Sequence, residues 1–190
     1  METIKFALPE SMKAFVQKRV AEGNFSSVRE YVLALIRADH QRQHEERIEE
    51  LLLEGLASGE PIVVDAAYWR AKKEKLAVLP ETDPVILVGR VVVHPAADQD
   101  LDEQALYYLE RGATKTALRW YDQVAPTFEL LAGQPEMRPQ TAREALRGIR
   151  SWAISGFDRH DVFYRPLENG IEVVRVLRGA QDIDAMLGDL

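Results

Sequence analysis

The residues of this chain best equipped for chemistry are arginines. Eleven stand in residues 90–190, beside a single lysine. Six of them gather where strand-like pattern is densest: Arg147, Arg150, Arg159, Arg165, Arg175 and Arg178. A guanidinium is a planar fork of donors suited to carboxylates and phosphates, so a cluster of this kind can line a surface for an anionic ligand. Arg150, Arg165, Arg175 and Arg178 are the candidate surface, although any one of them is explained as well by pairing with a nearby acid. The absence of cysteine removes disulfides, thiolate metal sites and thiol nucleophiles together. There is no glycine-rich phosphate loop and no G-x-S-x-G elbow. The histidines at 40, 44, 94 and 160 form no metal triad with neighbouring carboxylates in sequence. His40 and His44, four apart, are better read as solvated than as ligands. Asp98, Asp100, Asp102 and Glu103 fall in the first turns of a helix, where acids complement the dipole. That is a better account of them than a magnesium site. No catalytic residue, metal or cofactor is expected.

A second group of candidates lies at the other end of the chain. Thr3 to Leu8 alternates, with Ile4, Phe6 and Leu8 on one side and Thr3, Lys5 and Ala7 on the other, a short half-buried strand. Pro9 opens a helix that carries Met12, Phe15, Val16 and Val20 at helical spacing and stops at Gly23-Asn24. Ser27-Val28-Arg29-Glu30 is a capping box for the next helix, whose apolar stripe is Val28, Tyr31, Val32, Leu35 and Ile36. One strand and two helices cannot bury these faces alone. Pairing the strand with that of a second chain gives an antiparallel ribbon, which fits the DNA major groove. Thr3, Lys5 and Ala7 would then face base edges. The helix start at Ser26, Ser27 and Arg29 would offer backbone N–H groups to a phosphate.

Between these ends the chain changes character. Residues 1–43 carry seven bases and five acids, whereas 44–84 carry five bases and ten acids. A basic head before an acidic tail predicts a polyanionic partner for one and a basic partner for the other. The tail reads as a helix over about Glu45–Leu56, an apolar triplet Ile62-Val63-Val64, and a helix over Ala66–Leu76 with Tyr68 and Trp69. It has no core of its own. Ile62, Val63, Val64, Tyr68, Trp69 and Leu76 are therefore predicted to anchor it on a partner, with its acids facing the arginine-rich region. Leu79 to Pro84, with two prolines and no periodicity, marks a linker. Beyond it the pattern is a strand over Val88–Val93, a helix from Pro95 to about Glu110, and a second over Thr114–Ala132 kinked at Pro126. Strands then follow over Ile149–Ser155, Asp161–Pro166 and Ile171–Leu177, with Asn169-Gly170 as a hairpin turn. The class is α+β. The divisions are 1–43, a tail over 44–78, a linker over 79–89, and a domain over 90–190. No apolar run reaches the ~18 residues of a membrane span, and Met1 to Lys5 does not open a signal peptide. A cytoplasmic protein without membrane contact is expected.

Two resemblances follow. Leu8-Pro9-Glu10, Gly23, and the run Ser26-Ser27-x-x-Glu30-Tyr31-Val32 resemble the ribbon-helix-helix antitoxins of the ParD type, and the likeness extends to about residue 78. His94-Pro95-Ala96-Ala97, Gly148-Ile149-Arg150, Phe163-Tyr164-Arg165 and Val174-Arg175-Val176-Leu177, followed by Gly179 to Ile183, are similar to the RelE/ParE toxin superfamily. There Arg178 and Gln181 stand where His and Arg are usual. The resemblance implies an antitoxin fused to its toxin. The first half would dimerise, bind operator DNA as a repressor and neutralise the second, in cis or across a homodimer. ParE-type toxins poison DNA gyrase and RelE-type members cleave ribosome-bound mRNA. Asp161 and Gln181 lie where the nuclease branch places arginines, which favours a gyrase inhibitor without catalytic residues. The alternatives are an mRNA-cleaving toxin half, or a repressor with an inert toxin-like domain.

Overall fold

A computed structural model describes residues 7–23, 25–76, 89–137 and 146–178. Contacts divide the chain into two compact units, Met1–Glu46 and Arg47–Leu190.

The first unit holds helix α1 (Glu10–Glu22) and the opening of helix α2 (Val28–Ala57). Proline caps α1 from position 9, where its missing N–H costs nothing. The box at the start of α2 forms one position askew. Ser27 Oγ accepts from the Glu30 amide at 3.2 Å, while the Glu30 carboxylate takes both the amide and the hydroxyl of Ser26 at 2.6 Å. Those two bonds hold the Glu30 carboxyl below its ordinary range. Tyr31 is buried against Phe25, ring centroids 5.1 Å apart. Val16, Val20 and Val32 are half-buried, but Met12, Phe15, Val28, Leu35 and Ile36 are exposed, and α1 buries no residue fully.

The predicted break before Glu45 does not occur. Residues 37–47 contain no glycine or proline, and pairs such as Arg42–Glu46 and Arg42–Asp39 link successive turns. One 30-residue helix therefore replaces the two expected.

The second unit is a five-stranded sheet in the order β1-β2-β5-β4-β3, clad by helices. Its strands are β1 (Ile62–Val63), β2 (Arg90–Val93), β3 (Arg150–Ile154), β4 (Phe157–Leu167) and β5 (Gly170–Arg178). Its helices, besides the end of α2, are α3 (Ala66–Glu74), α4 (Pro95–Glu110) and α5 (Thr114–Gly133), the last continuing through Pro126. β3, β4 and β5 form the expected antiparallel meander, whereas β2 joins β5 in parallel. Gly170, at φ +150°, begins β5 opposite Arg90. A Cβ there would lie 1.8 Å from the Arg90 carbonyl oxygen, so only glycine admits β2.

The sheet is covered on both faces. Val91, Val93, Ile171, Val173 and Tyr164 share a core with Leu101, Trp120, Val124 and Phe128 of α4 and α5. Val174, next in line to Val173 and so turned to the opposite face, joins Leu146, Ile149 and Leu52 of α2, flanked by Ile48, Leu56 and Phe163. The class is mixed helix and sheet, as the alternation of patterns predicts.

Candidate functional site

The site is the contact between residues 47–76 and the helices and sheet that follow them. It has three parts.

The first is on the sheet. Phe163 faces Arg175 while Tyr164 faces Val173, so Val174 is an extra residue in β5, a β-bulge. The bulge places Val174 against Leu52 and lets Arg175 reach α2. Arg175 donates to the Leu51 carbonyl at 3.0 Å and lies 3.7 Å from the Glu54 carboxylate. It also grips Asp100 with two bonds, at 2.7 and 2.8 Å, and this pairing holds its guanidinium above even its usual range. Asp100 in turn accepts the Val176 amide at 2.9 Å. α2 comes this close because position 55 is glycine: a Cβ would stand 2.6 Å from the Val174 carbonyl oxygen. Ser58, just past the helix, bonds the Ala96 amide at 3.1 Å and so caps α4, whose own preceding residue His94 makes no side-chain cap.

The second part is strand addition. β1 pairs antiparallel with β2, and the Val64 amide continues the ladder to the Val91 carbonyl at 2.9 Å.

The third is α3, capped by Asp65. Trp69 is 3% exposed and sits among Tyr68, Tyr121 and Phe128, while Val64 and Leu76 enter the same core. Around this anchor lies a lattice of charge. Lys72, itself 3% exposed, meets Asp98 at 2.7 Å and Asp102 at 2.6 Å. Lys73 meets Asp122 at 2.6 Å and Lys75 meets Asp102 at 3.0 Å. The Tyr68 hydroxyl donates to Asp98 and the Tyr121 hydroxyl to Asp102. Burial raises both phenols well beyond their ordinary range, reinforced by those carboxylates. Burial alone would raise Asp102 too, but Lys72, Lys75 and Tyr121 together hold it below normal.

Of the six expected anchors, Val64, Trp69 and Leu76 are buried and Tyr68 half-buried. Ile62 and Val63 are corrected: they are exposed at 41% and 56% and contribute backbone, not apolar surface, because β1 lies at the sheet edge. The expected direction of charge is corrected as well. Glu54 does approach Arg175, but the closest pairs run from lysines of the tail to aspartates of the domain. The candidate arginines do not form one open surface. Arg150 is buried and paired with Glu136, Arg165 is paired with Glu172, and Arg175 is covered by α2. Arg178 is exposed, across the strands from His160. Glu172 also accepts His94 at 2.9 Å, in a buried group. At the other end, Ala7, Ser26, Ser27 and Arg29 are exposed, while Thr3, Lys5 and Gln181 lie outside the described residues.

Sequence reasoning passed over Lys72, Lys73 and Asp122, and read Asp98 and Asp102 only as acids complementing a helix dipole. Their signal was present, in a basic triplet inside an acidic tail and two aspartates four apart on one helix face.

Strands β3, β4 and β5, the helix hairpin α4–α5 and most of β2 fall within one stretch that is similar to a known family. Residues 91–183 match the model of the ParE toxin of type II toxin–antitoxin systems, parDE. The C-terminal half is thus similar to ParE toxins, and this supports the toxin part of the expected function. No curated protein compared with the chain matches it. Among the described residues no helix is long and apolar enough to cross a membrane.

Proposed function

We propose that the chain is a toxin and its antitoxin in one polypeptide. Residues 1–46 dimerise and bind operator DNA, residues 47–76 neutralise, and the ParE domain inhibits DNA gyrase without catalytic residues of its own. The supporting observation is that Val64, Trp69 and Leu76 occupy the same core as the residues matched to ParE. A segment preceding a toxin domain that completes its core, extends its sheet and caps its helix behaves as a cover for it. The open apolar faces of α1 and α2 support dimerisation, and the exposure of Ser26, Ser27 and Arg29 is compatible with phosphate contact once the Glu30 carboxylate gives up the Ser26 amide.

A ribonuclease reading has one observation in its favour. His160 bonds Gln104 at 3.0 Å, stands across the strands from Arg178, and packs edge-on to Trp120; Tyr108 lies within the electrostatic reach of Arg119 and Arg178. An imidazole, a phenol and guanidinium groups are the kinds of group RNA cleavage uses.

Expression of the full chain with Tyr68→Ala and Trp69→Ala decides between these readings. Slowed growth with loss of gyrase supercoiling by the purified variant is the expected result. Cleavage of translated mRNA with gyrase untouched would replace it with the nuclease reading. Harmlessness of the variant, with α3 released by hydrogen exchange, would leave a repressor carrying an inert domain.

A further inference from the structure

α3 holds its place with charges opposite to those of the tail as a whole. Residues 44–84 carry twice as many acids as bases, yet Lys72, Lys73 and Lys75, within four residues, each end on an aspartate of α4 or α5. Lys72 has lost nearly all its water and is held by two carboxylates and the Asp98 carbonyl, with its ammonium 5.3 Å from the Tyr68 ring centroid. A desolvated ammonium is tolerated only with such partners, and removing or reversing one side leaves an uncompensated charge. The apolar anchor Trp69 does not discriminate one amphipathic helix from another; fixed charges do, by penalising the wrong occupant.

We infer that the notch formed by Asp98, Asp102 and Asp122 is a specificity filter for helices. It accepts an aromatic anchor followed by lysines in the pattern Trp-x-x-Lys-Lys-x-Lys and rejects acidic tails. The occupant it fits, besides its own α3, is the same segment of a second copy of this chain, whose charges match by identity. This rests on the reading of residues 47–76 as the cover of the ParE domain.

The test swaps one pair, Lys73 and Asp122. The receptor is the full chain carrying Lys72→Glu and Lys73→Ala, so that its own α3 is repelled at Asp98 and Asp102 and neutral toward Asp122, and a second receptor adds Asp122→Lys. The probes are labelled peptides of residues 58–76, parental and with Lys73→Asp. The parental peptide should prefer the first receptor and the Lys73→Asp peptide the second, each at least about tenfold over the crossed pairings, with the preference shrinking as salt rises. Equal affinities in all four combinations, or no binding of any peptide to a folded receptor, overturn the inference. If the receptors fail to fold, hydrogen exchange in the intact chain puts the same question. Lys73→Asp and Asp122→Lys should each hasten exchange of the α3 amides, and the double variant should slow it again. A double variant as fast as the worse single overturns the inference. Growth and gyrase are not read here, so a harmless toxin half would count against the proposed function alone.

Discussion

Two residues carry more than their type suggests. Gly55 is helical, where alanine would ordinarily gain about 1 kcal/mol of propensity. Here the added Cβ meets the Val174 carbonyl at 2.6 Å and the Arg175 side chain at 2.8 Å, and a backbone oxygen in a sheet yields little. We expect Gly55→Ala to destabilise the chain by about 1–3 kcal/mol, read from the denaturant midpoint; a gain in stability would mean that α2 is not seated on the bulge. Asp102 is the other. Its carboxyl titrates below its ordinary value of 3.8, so its contribution is fully present above that value and fades as the pH falls below it. Asp102→Asn should therefore lower stability at neutral pH and flatten the acid limb of the stability profile. Parallel profiles for parent and variant would contradict the lattice.

At the scale of elements, β1 and α3 are adjacent in sequence but bind by different physics. β1 offers backbone, so Ile62→Thr should change stability by no more than about 0.5 kcal/mol, as an exposed substitution does. α3 offers an aromatic anchor in a closed core, and Trp69→Ala should cost about 3–5 kcal/mol. Equilibrium unfolding of both variants checks the contrast, and similar losses at the two positions would mean that the β1 side chains are buried rather than exposed. The joining of α2 into one helix has an equally local cause. Charged pairs three and four apart bridge the stretch where two helices were expected, and nothing there breaks the pattern.

For the whole molecule, the two compact units differ in what they lack. Arg47–Leu190 closes a core around both faces of a sheet. Met1–Glu46 leaves Met12, Phe15, Leu35 and Ile36 each more than half or about half exposed, a face that water does not stabilise and a second copy would cover. We expect a dimer in light scattering and two thermal transitions, of which only one moves with protein concentration. Phe15→Ser with Leu35→Ser should give a monomer, abolish the concentration dependence and weaken operator binding. A parent that is monomeric at all concentrations would remove the basis for the ribbon.

The sequence by itself determined the elements of the second half and their class, because helical and alternating periodicities there are long and bounded by prolines and glycines. The starts at Pro95 and Thr114, the strands around 150–178 and the anchors Trp69 and Leu76 were all legible in this way. It also held the motifs that resemble ParE. Tertiary structure decided the rest. Only the three-dimensional arrangement sets β2 parallel to β5, since periodicity carries no information on strand direction. It turned Ile62 and Val63 outward, because an edge position is a property of the sheet and not of the residue. It also set Lys72 between Asp98 and Asp102. Read along the chain these are a solvated base and two dipole-friendly acids 26 and 30 residues away. They become a buried, mutually dependent group once α3 packs on the helix hairpin and water is excluded from between them.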